Sequence, residues 1–406
     1  MTSPALLPSF DQYVMQTYAR FPIALERGLG CLVWDSEGRE YLDFVAGIAT
    51  CTLGYAHPAM VAAVTSQIQT LHHISNLYYQ VPQGDLAAWL VQNSCADKVF
   101  FCNSGAEANE AAIKLTRKYA HVRLGIKDPL IITAMSSFHG RTLATLTATG
   151  QEKYHQNFTP LVSGFAYVPY NDLAALEQAI ASYDGRVCGV MLEGLQGEGG
   201  VIPGDRAYFQ RLRQICDQKQ LLLIMDEVQV GMGRSGKLWG YENLGIEPDI
   251  FTSAKGLGGG IPIGAMLCRQ SCDLFAPGDH ASTYGGNPFA CAVALAVCET
   301  LVKDNLIANA RERGLQLQKG LRAIALEYPD LVVGPRGWGL IQGLVLQDQA
   351  QIVAKDLIQA CMDHGLLLVA AGVKVVRFVP PLIVSAAEIE RALMIVHQAL
   401  ADLSHT

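Results

Sequence analysis

The sequence predicts an α/β chain with a mostly parallel central sheet in a large domain and a smaller α+β domain at the C-terminal end. Three observations carry this. Short apolar runs alternate with amphipathic helical stretches over most of the chain, the pattern of βαβ units whose sheet is covered on both faces. After Asn287-Pro288 the composition turns long-helical to about Leu326 and then mixes helix with strand. The 406 residues are 50% hydrophobic and only 17% charged, with mean hydropathy +0.21, a surplus of apolar side chains that a large core or an extensive subunit interface would absorb.

In chain order, Cys31 to Phe44 reads as two short strands around the turn Asp35-Ser36-Glu37-Gly38, and a helical pattern follows His57-Pro58 from Ala59 to Leu71. Strands are expected at Lys98 to Cys102, Leu130 to Thr133, Phe165 to Val168, Val187 to Leu192, Leu221 to Met225, Ile250 to Ser253 and Ile263 to Cys268. Helical patterns such as Gly105 to Tyr119 and Asp205 to Lys219 lie between them. These boundaries give an N-terminal segment, 1–58, belonging to the small domain, a large domain, 59–287, and a small C-terminal domain, 288–406.

Composition excludes several roles. A net charge of −7 leaves no basic footprint for nucleic acid or an anionic membrane. The longest apolar runs, Leu221 to Met225, Ala290 to Cys298 and Leu366 to Val373, fall far short of the ~18 residues a membrane span needs. The start, Met-Thr-Ser-Pro, has neither basic residues nor an apolar stretch of signal-peptide type, so a cytoplasmic location is expected. The 11 cysteines are scattered and form no C-x-x-C pair, which reads as buried hydrophobes in a reducing compartment and not as disulfides or a metal site.

In open α/β sheets, ligands sit beyond the carboxyl ends of the strands, so residues that follow strands carry the information. Asn103-Ser104-Gly105-Ala106-Glu107 follows the first of the seven strands and opens a helix, whose free N–H groups and positive end can hold a phosphate. The commoner use of such a serine is an ordinary N-cap. Asp226 ends a buried run, Leu221 to Met225, where an unpaired carboxylate is costly, so it needs a cationic or N–H partner. Lys255, in Thr252-Ser253-Ala254-Lys255-Gly256, again follows a strand. A lysine in an apolar pocket has a lowered pKa and keeps the free amine that Schiff-base chemistry requires; a surface lysine in a loop is the alternative. Gly231-Met232-Gly233-Arg234-Ser235-Gly236 spells G-x-G-x-x-G, but it lies beyond the strand and leads into no helical pattern, which discounts nicotinamide binding.

A phosphate cup, a buried aspartate and an amine-bearing lysine in this order, with Ser137-Phe138-His139-Gly140-Arg141-Thr142, Gln196-Gly197-Glu198-Gly199-Gly200 and Ser282-Thr283-Tyr284-Gly285-Gly286-Asn287-Pro288, resemble the class III (ornithine/acetylornithine/GABA) aminotransferases of fold type I. The resemblance runs from Phe21-Pro22 to Pro380-Pro381-Leu382, and His73 to Tyr79 with Phe100 to Tyr119 is most similar to the acetylornithine branch. It implies pyridoxal 5'-phosphate as cofactor and a homodimer with shared active sites. Lys255 would carry the cofactor and move the substrate proton, and Asp226 would pair with the ring nitrogen. Val228, Gln229 and Phe138 would line the ring, Gln229 reaching its 3-oxygen. Ser104, Gly105 and Ala106 would hold the phosphate, joined by Thr283 of the neighbouring subunit. Arg141, with Tyr18, would be the first choice for the donor's α-carboxylate and Arg377 the second, and Ser282 would touch substrate. The glutamate matching Glu198 pairs with that second arginine and releases it for 2-oxoglutarate. His139 and Glu193 would support these groups. The family's usual proline after the glutamate is Gly194 here, which implies a looser turn. Several acylated diamines, ornithine and 4-aminobutyrate remain open as donors, and an aminomutase on the same scaffold is the reading from another class.

Overall fold

The computed structural model describes residues 8–183 and 185–404. Three N-terminal strands, β1 (Leu25–Leu29), β2 (Leu32–Asp35) and β3 (Glu40–Asp43), form an antiparallel ribbon. The central sheet is built from β4 (Lys98–Cys102), β5 (Leu130–Ala134), β6 (Phe165–Val168) and β7 (Val187–Glu193). A small ladder, β8 (Leu195–Gln196) with β9 (Ile202–Pro203), follows before β10 (Leu222–Asp226), β11 (Ile250–Ser253) and β12 (Gly264–Cys268) complete that sheet. Its order is β4-β12-β11-β10-β7-β5-β6. Every pairing is parallel except the two made by β12, which runs antiparallel to both neighbours.

Alternation along these strands sorts their side chains into two cores. Leu223 and Met225 of β10 join Leu130, Ile132, Val190, Leu192 and Phe251 on one face, with Phe209, Leu212, Ala294 and Val297 from the helices Arg206–Lys219 and Pro288–Lys303. Leu222 and Ile224 join Ile131, Met191, Ile250 and Met266 on the other, covered by Ala111, Ile113 and Leu115 of helix Gly105–Tyr119. A strand buried on both faces carries no polar alternation, which is why these strands read as unbroken apolar runs.

The long-helical stretch is two helices, Pro288–Lys303 and Leu306–Glu327, broken where Asn305 takes a left-handed φ of 52°. Beyond them β13 (Val332–Trp338), β14 (Ile341–Leu346), β16 (Val369–Ala370) and β17 (Val375–Phe378) form an antiparallel sheet, and β15 (Leu366–Leu367) returns to pair parallel with β3. Helices Ala354–Asp363 and Ala386–Ser404 pack against this part. No helix among the described residues is long and apolar enough to cross a membrane.

Candidate active site

The parallel strands all end on one edge of the sheet, and a cavity of ≈ 620 Å³ lies beyond it. Its walls come from the segments that follow β4, β5, β7, β10 and β11, together with Gly260 to Ile263, which the reversed direction of β12 brings to the same edge.

At the end of β4 the chain turns directly into helix Gly105–Tyr119. Ser104 is the N-cap: its hydroxyl accepts from Glu107 N at 3.2 Å and donates to Glu107 Oε2 at 3.0 Å, while Asn103 N donates to the same carboxylate at 2.9 Å. The capping reading of Ser104 and the ligand reading of the terminus coexist, because Gly105 and Ala106 line the cavity. The one hydroxyl proton of Ser104 is committed to Glu107. Gly105 is required for a close approach, since a Cβ there would lie 2.7 Å from Val228 Cγ1.

Asp226, the last residue of β10, is 5% exposed. Oδ1 accepts from Val228 N at 3.0 Å; Oδ2 accepts from Asn109 Nδ2 and faces His139 Nδ1, each at 2.8 Å. Asn109 is itself fixed: its Oδ1 accepts from the buried Thr252 hydroxyl at 2.7 Å, and its Nδ2 also donates to His139 O. Glu193, at the end of β7, accepts Phe138 N at 3.1 Å; burial, then the Asp226 charge, pushes its carboxyl well above the ordinary value. The carbonyl of Gly194 accepts from Gly204 N at 2.9 Å, so the turn that lacks proline is tied to the chain beyond β9.

Lys255 follows β11 at a left-handed φ of 44° and lines the cavity. Among the described residues its amine makes no hydrogen bond. Burial lowers its pKa, against the opposing charge of Glu198. The amine is therefore biased towards the neutral form that a nucleophile and base needs.

Arg377 on β17 is fully buried. Its Nη1 donates to Glu198 Oε1 at 2.6 Å and to Gln229 Oε1 at 2.7 Å, and Gln229 Nε2 donates to Glu198 Oε1 at 3.2 Å. Nε and Nη2 have no hydrogen-bond partner among the described residues. Burial alone would raise the Glu198 carboxyl, but the charge and hydrogen bond of Arg377 reverse this and hold it below its ordinary value. Gly197 makes room for the arrangement, because a Cβ there would lie 2.1 Å from Gln229 Oε1.

Phe138, Arg141 and Tyr18 complete the rim, with the Arg141 guanidinium 3.7 Å from the centroid of the Tyr154 ring. Two expected residues lie outside this chain's cavity. Ser282 accepts from Asn103 Nδ2 at 3.1 Å and from Gly285 N at 3.0 Å, and Thr283 is exposed. The G-x-G-x-x-G segment forms turns and opens no helix. Sequence reasoning missed Asn109, Thr252, Thr50 and Tyr154. None left a local signal: Asn109 shares its buried helix face with a second polar residue, Thr116, seven residues on.

The profile of the class-III aminotransferases (Aminotransferase class-III) matches residues 13–400. The acetylornithine aminotransferases of Nostoc sp. and Thermosynechococcus vestitus are 66% and 65% identical to this chain, over 99% and 98% of it and 95% and 97% of their own lengths. Among solved structures, the ornithine aminotransferase of Toxoplasma gondii superposes with TM-score 0.94 at 32% identity, covering 98% of this chain and 94% of that one. The N-acetylornithine aminotransferase of Stenotrophomonas maltophilia superposes with TM-score 0.85 at 39% identity, covering 98% and 99%. A match over almost the full length, and relatives two-thirds identical to it, leave one placement: the chain belongs to the class-III aminotransferase family.

Proposed function

We propose that this enzyme transfers the terminal amine of N2-acetyl-L-ornithine to 2-oxoglutarate, giving N-acetyl-L-glutamate 5-semialdehyde and L-glutamate, a step of arginine biosynthesis. The observation that carries the choice of donor is the full-length similarity to acetylornithine aminotransferases.

The enzyme is a transaminase that uses pyridoxal 5'-phosphate, and the residues present suit that group. The Lys255 amine, without a hydrogen-bond partner among the described residues, the carboxylate of Asp226 and the glycine-cleared N-terminus at Gly105 border one cavity. When bound, the cofactor supplies the carbonyl that takes up the amine and a ring that draws electrons from the reacting carbon. In our reading Lys255 holds the cofactor and takes the proton from the carbon bearing the donor amine. Asp226, with both oxygens already oriented, keeps the ring nitrogen protonated. Phe138 and Val228 confine the ring between them. Gly105 and Ala106 donate N–H groups to the phosphate, and Ser104 joins them by exchanging Glu107 for it. Gln229 Nε2 gives one of its two hydrogens to Glu198 and keeps the other for the 3-oxygen.

Arg141, beside Tyr18, binds the carboxylate at the far end of either substrate. Arg377, neutralised by Glu198, suits a donor with no carboxylate beside the reacting amine; moved off Glu198, it binds the α-carboxylate of 2-oxoglutarate. Completion of the site requires a homodimer, with Thr283 of the partner subunit on the phosphate and Ser282 at the same junction. The exposure of Thr283 and of Leu77, Tyr78, Tyr79 and Tyr284 supports this. The same reading divides the chain into a cofactor-binding domain, 59–287, and a small domain made from 288–406 and the segment 1–58, supported by the pairing of β15 with β3. It places the enzyme in the cytoplasm. The test is a donor panel with 2-oxoglutarate. kcat/KM for acetylornithine is expected to exceed that for succinylornithine, ornithine and 4-aminobutyrate, and a preference for any of those three overturns the assignment.

A further inference from the structure

Arg141 lines the cavity, and none of its five N–H donors has a hydrogen-bond partner among the described residues. What touches the guanidinium is aromatic: its carbon lies 3.7 Å from the Tyr154 ring centroid and 5.4 Å from that of Phe138. The two rings meet edge to face, 6.0 Å apart at 83°. A guanidinium lying on a ring gives up no donor to it, so the whole in-plane fork stays available for a carboxylate. Lys153 Nζ shares the Tyr154 ring at 4.8 Å, farther out than Arg141.

The segment that carries Tyr154 is itself held. Helix Glu152–His155 follows Gly150, whose N–H donates to Ser137 Oγ at 3.0 Å and whose carbonyl accepts Ser136 N at 2.7 Å. Gln151 Nε2 donates to Ser137 O at 2.9 Å. The His155 ring nitrogen Nε2 donates to Leu146 O at 2.9 Å and Thr149 O at 2.8 Å, joining this helix to helix Leu143–Ala148, which starts just after Arg141. The ring and the arginine thus share one scaffold. Arg141 is exposed at the rim, and without the ring its long side chain would have to be ordered by the substrate at the moment of binding.

We propose that Tyr154 is a positioning residue for donor recognition. Its ring holds the Arg141 fork towards the substrate carboxylate, and so favours an acylated diamine that bears a carboxylate over the same acylated diamine without one. This rests on the reading, given above, that Arg141 binds that carboxylate.

The test follows the first half-reaction of the holoenzyme by cofactor absorbance, with N2-acetyl-L-ornithine and with N-acetylputrescine, which is the same molecule lacking the carboxylate. Tyr154→Phe keeps the ring and is expected to stay within about twofold of wild type for both donors. Tyr154→Leu is expected to lower kcat/KM for acetylornithine by roughly fivefold through KM, the scale of one exposed cation–π contact, and to leave N-acetylputrescine within about twofold. If Tyr154→Leu folds poorly, Tyr154→Met, of similar reach and without a π face, takes its place. Equal losses for the two donors, or no loss for either, overturn the proposal. Arg141→Gln separates the two levels of the argument. If it fails to penalise acetylornithine more than N-acetylputrescine, the reading of Arg141 falls; if it does so and the Tyr154 variants do not, only the role of Tyr154 falls.

Discussion

Glu198→Gln tests the electrostatic balance at Arg377 most directly. The guanidinium is fully buried and the carboxylate 25% exposed, with 2.6 Å between Nη1 and Oε1. Removing one member of a buried pair costs about 3–5 kcal/mol. The amide retains a hydrogen bond and the site is partly open to solvent, so about 2 kcal/mol is the expected scale here. That energy acts oppositely on the two kinds of substrate. An acetylornithine molecule brings no carboxylate near Arg377 and loses the group that neutralised it, whereas glutamate brings a carboxylate that no longer has to displace Glu198. The ratio of kcat/KM for glutamate over acetylornithine should rise by roughly 30-fold, the equivalent of ~2 kcal/mol. Single-turnover half-reactions with each donor measure it. The wild-type pair also has a pH signature. Glu198 lies below its ordinary pKa in the folded protein, so its contribution to stability is complete above the unfolded value of 4.5 and disappears as pH falls through the folded one; the variant should lack that loss. A ratio unchanged within threefold, or one that moves towards acetylornithine, refutes the reasoning.

Lys255→Ala should reduce turnover by at least about 10³-fold with the circular dichroism spectrum unchanged, and retained transamination would contradict the assignment of the base. Gly197→Ala puts a methyl 2.1 Å from Gln229 Oε1, so Gln229 must leave Arg377 and Glu198; kcat/KM for both substrates should fall roughly tenfold while the protein stays folded, as read by thermal melts. Glu227 is buried beneath the loop after β10, accepting Gly240 N at 2.6 Å and Tyr241 N at 2.7 Å, and burial pushes its carboxyl up to about 8 from 4.5. A raised carboxyl pKa means that the folded state keeps a proton the unfolded chain has lost, so this group's contribution weakens as pH rises from 4.5 to 8. Urea titrations should show Glu227→Gln removing on the order of 2 kcal/mol of that pH dependence between pH 5.5 and 7.5.

The parts of the site that are legible in the sequence are those written in consecutive residues. Ser104-Gly105 announces a helix start directly after an apolar run, and Asp226 and Lys255 stand immediately beyond or at the end of runs too apolar to be anything but buried strands. What is illegible depends on elements far apart in the chain. The Thr252 hydroxyl fixes the amide of Asn109 from 143 residues away, and β17 brings Arg377 to Glu198 across 179. Nothing in the local pattern around Asn109 distinguishes a helix-face amide exposed to solvent from one clamped between two strands. The antiparallel course of β12 is hidden for the same reason: a fully buried strand has the same composition in either direction, and only pairing reveals which it takes.

The pairing of β3 with β15 has a consequence for biosynthesis. Leu42 and Leu366 are register partners, so a ribbon that leaves the ribosome early lacks one neighbour until 324 more residues have been made. At roughly 5–20 residues per second that interval is about 20–60 s. Throughout it the edge of β3, which includes the apolar Tyr41 and Leu42, is open to any other extended segment nearby, including the same edge on a neighbouring nascent chain. Vectorial synthesis thus delivers every strand of the central sheet, which ends at Cys268, about a hundred residues before the partner that closes the ribbon, which makes this edge a place where a folding helper has much to protect.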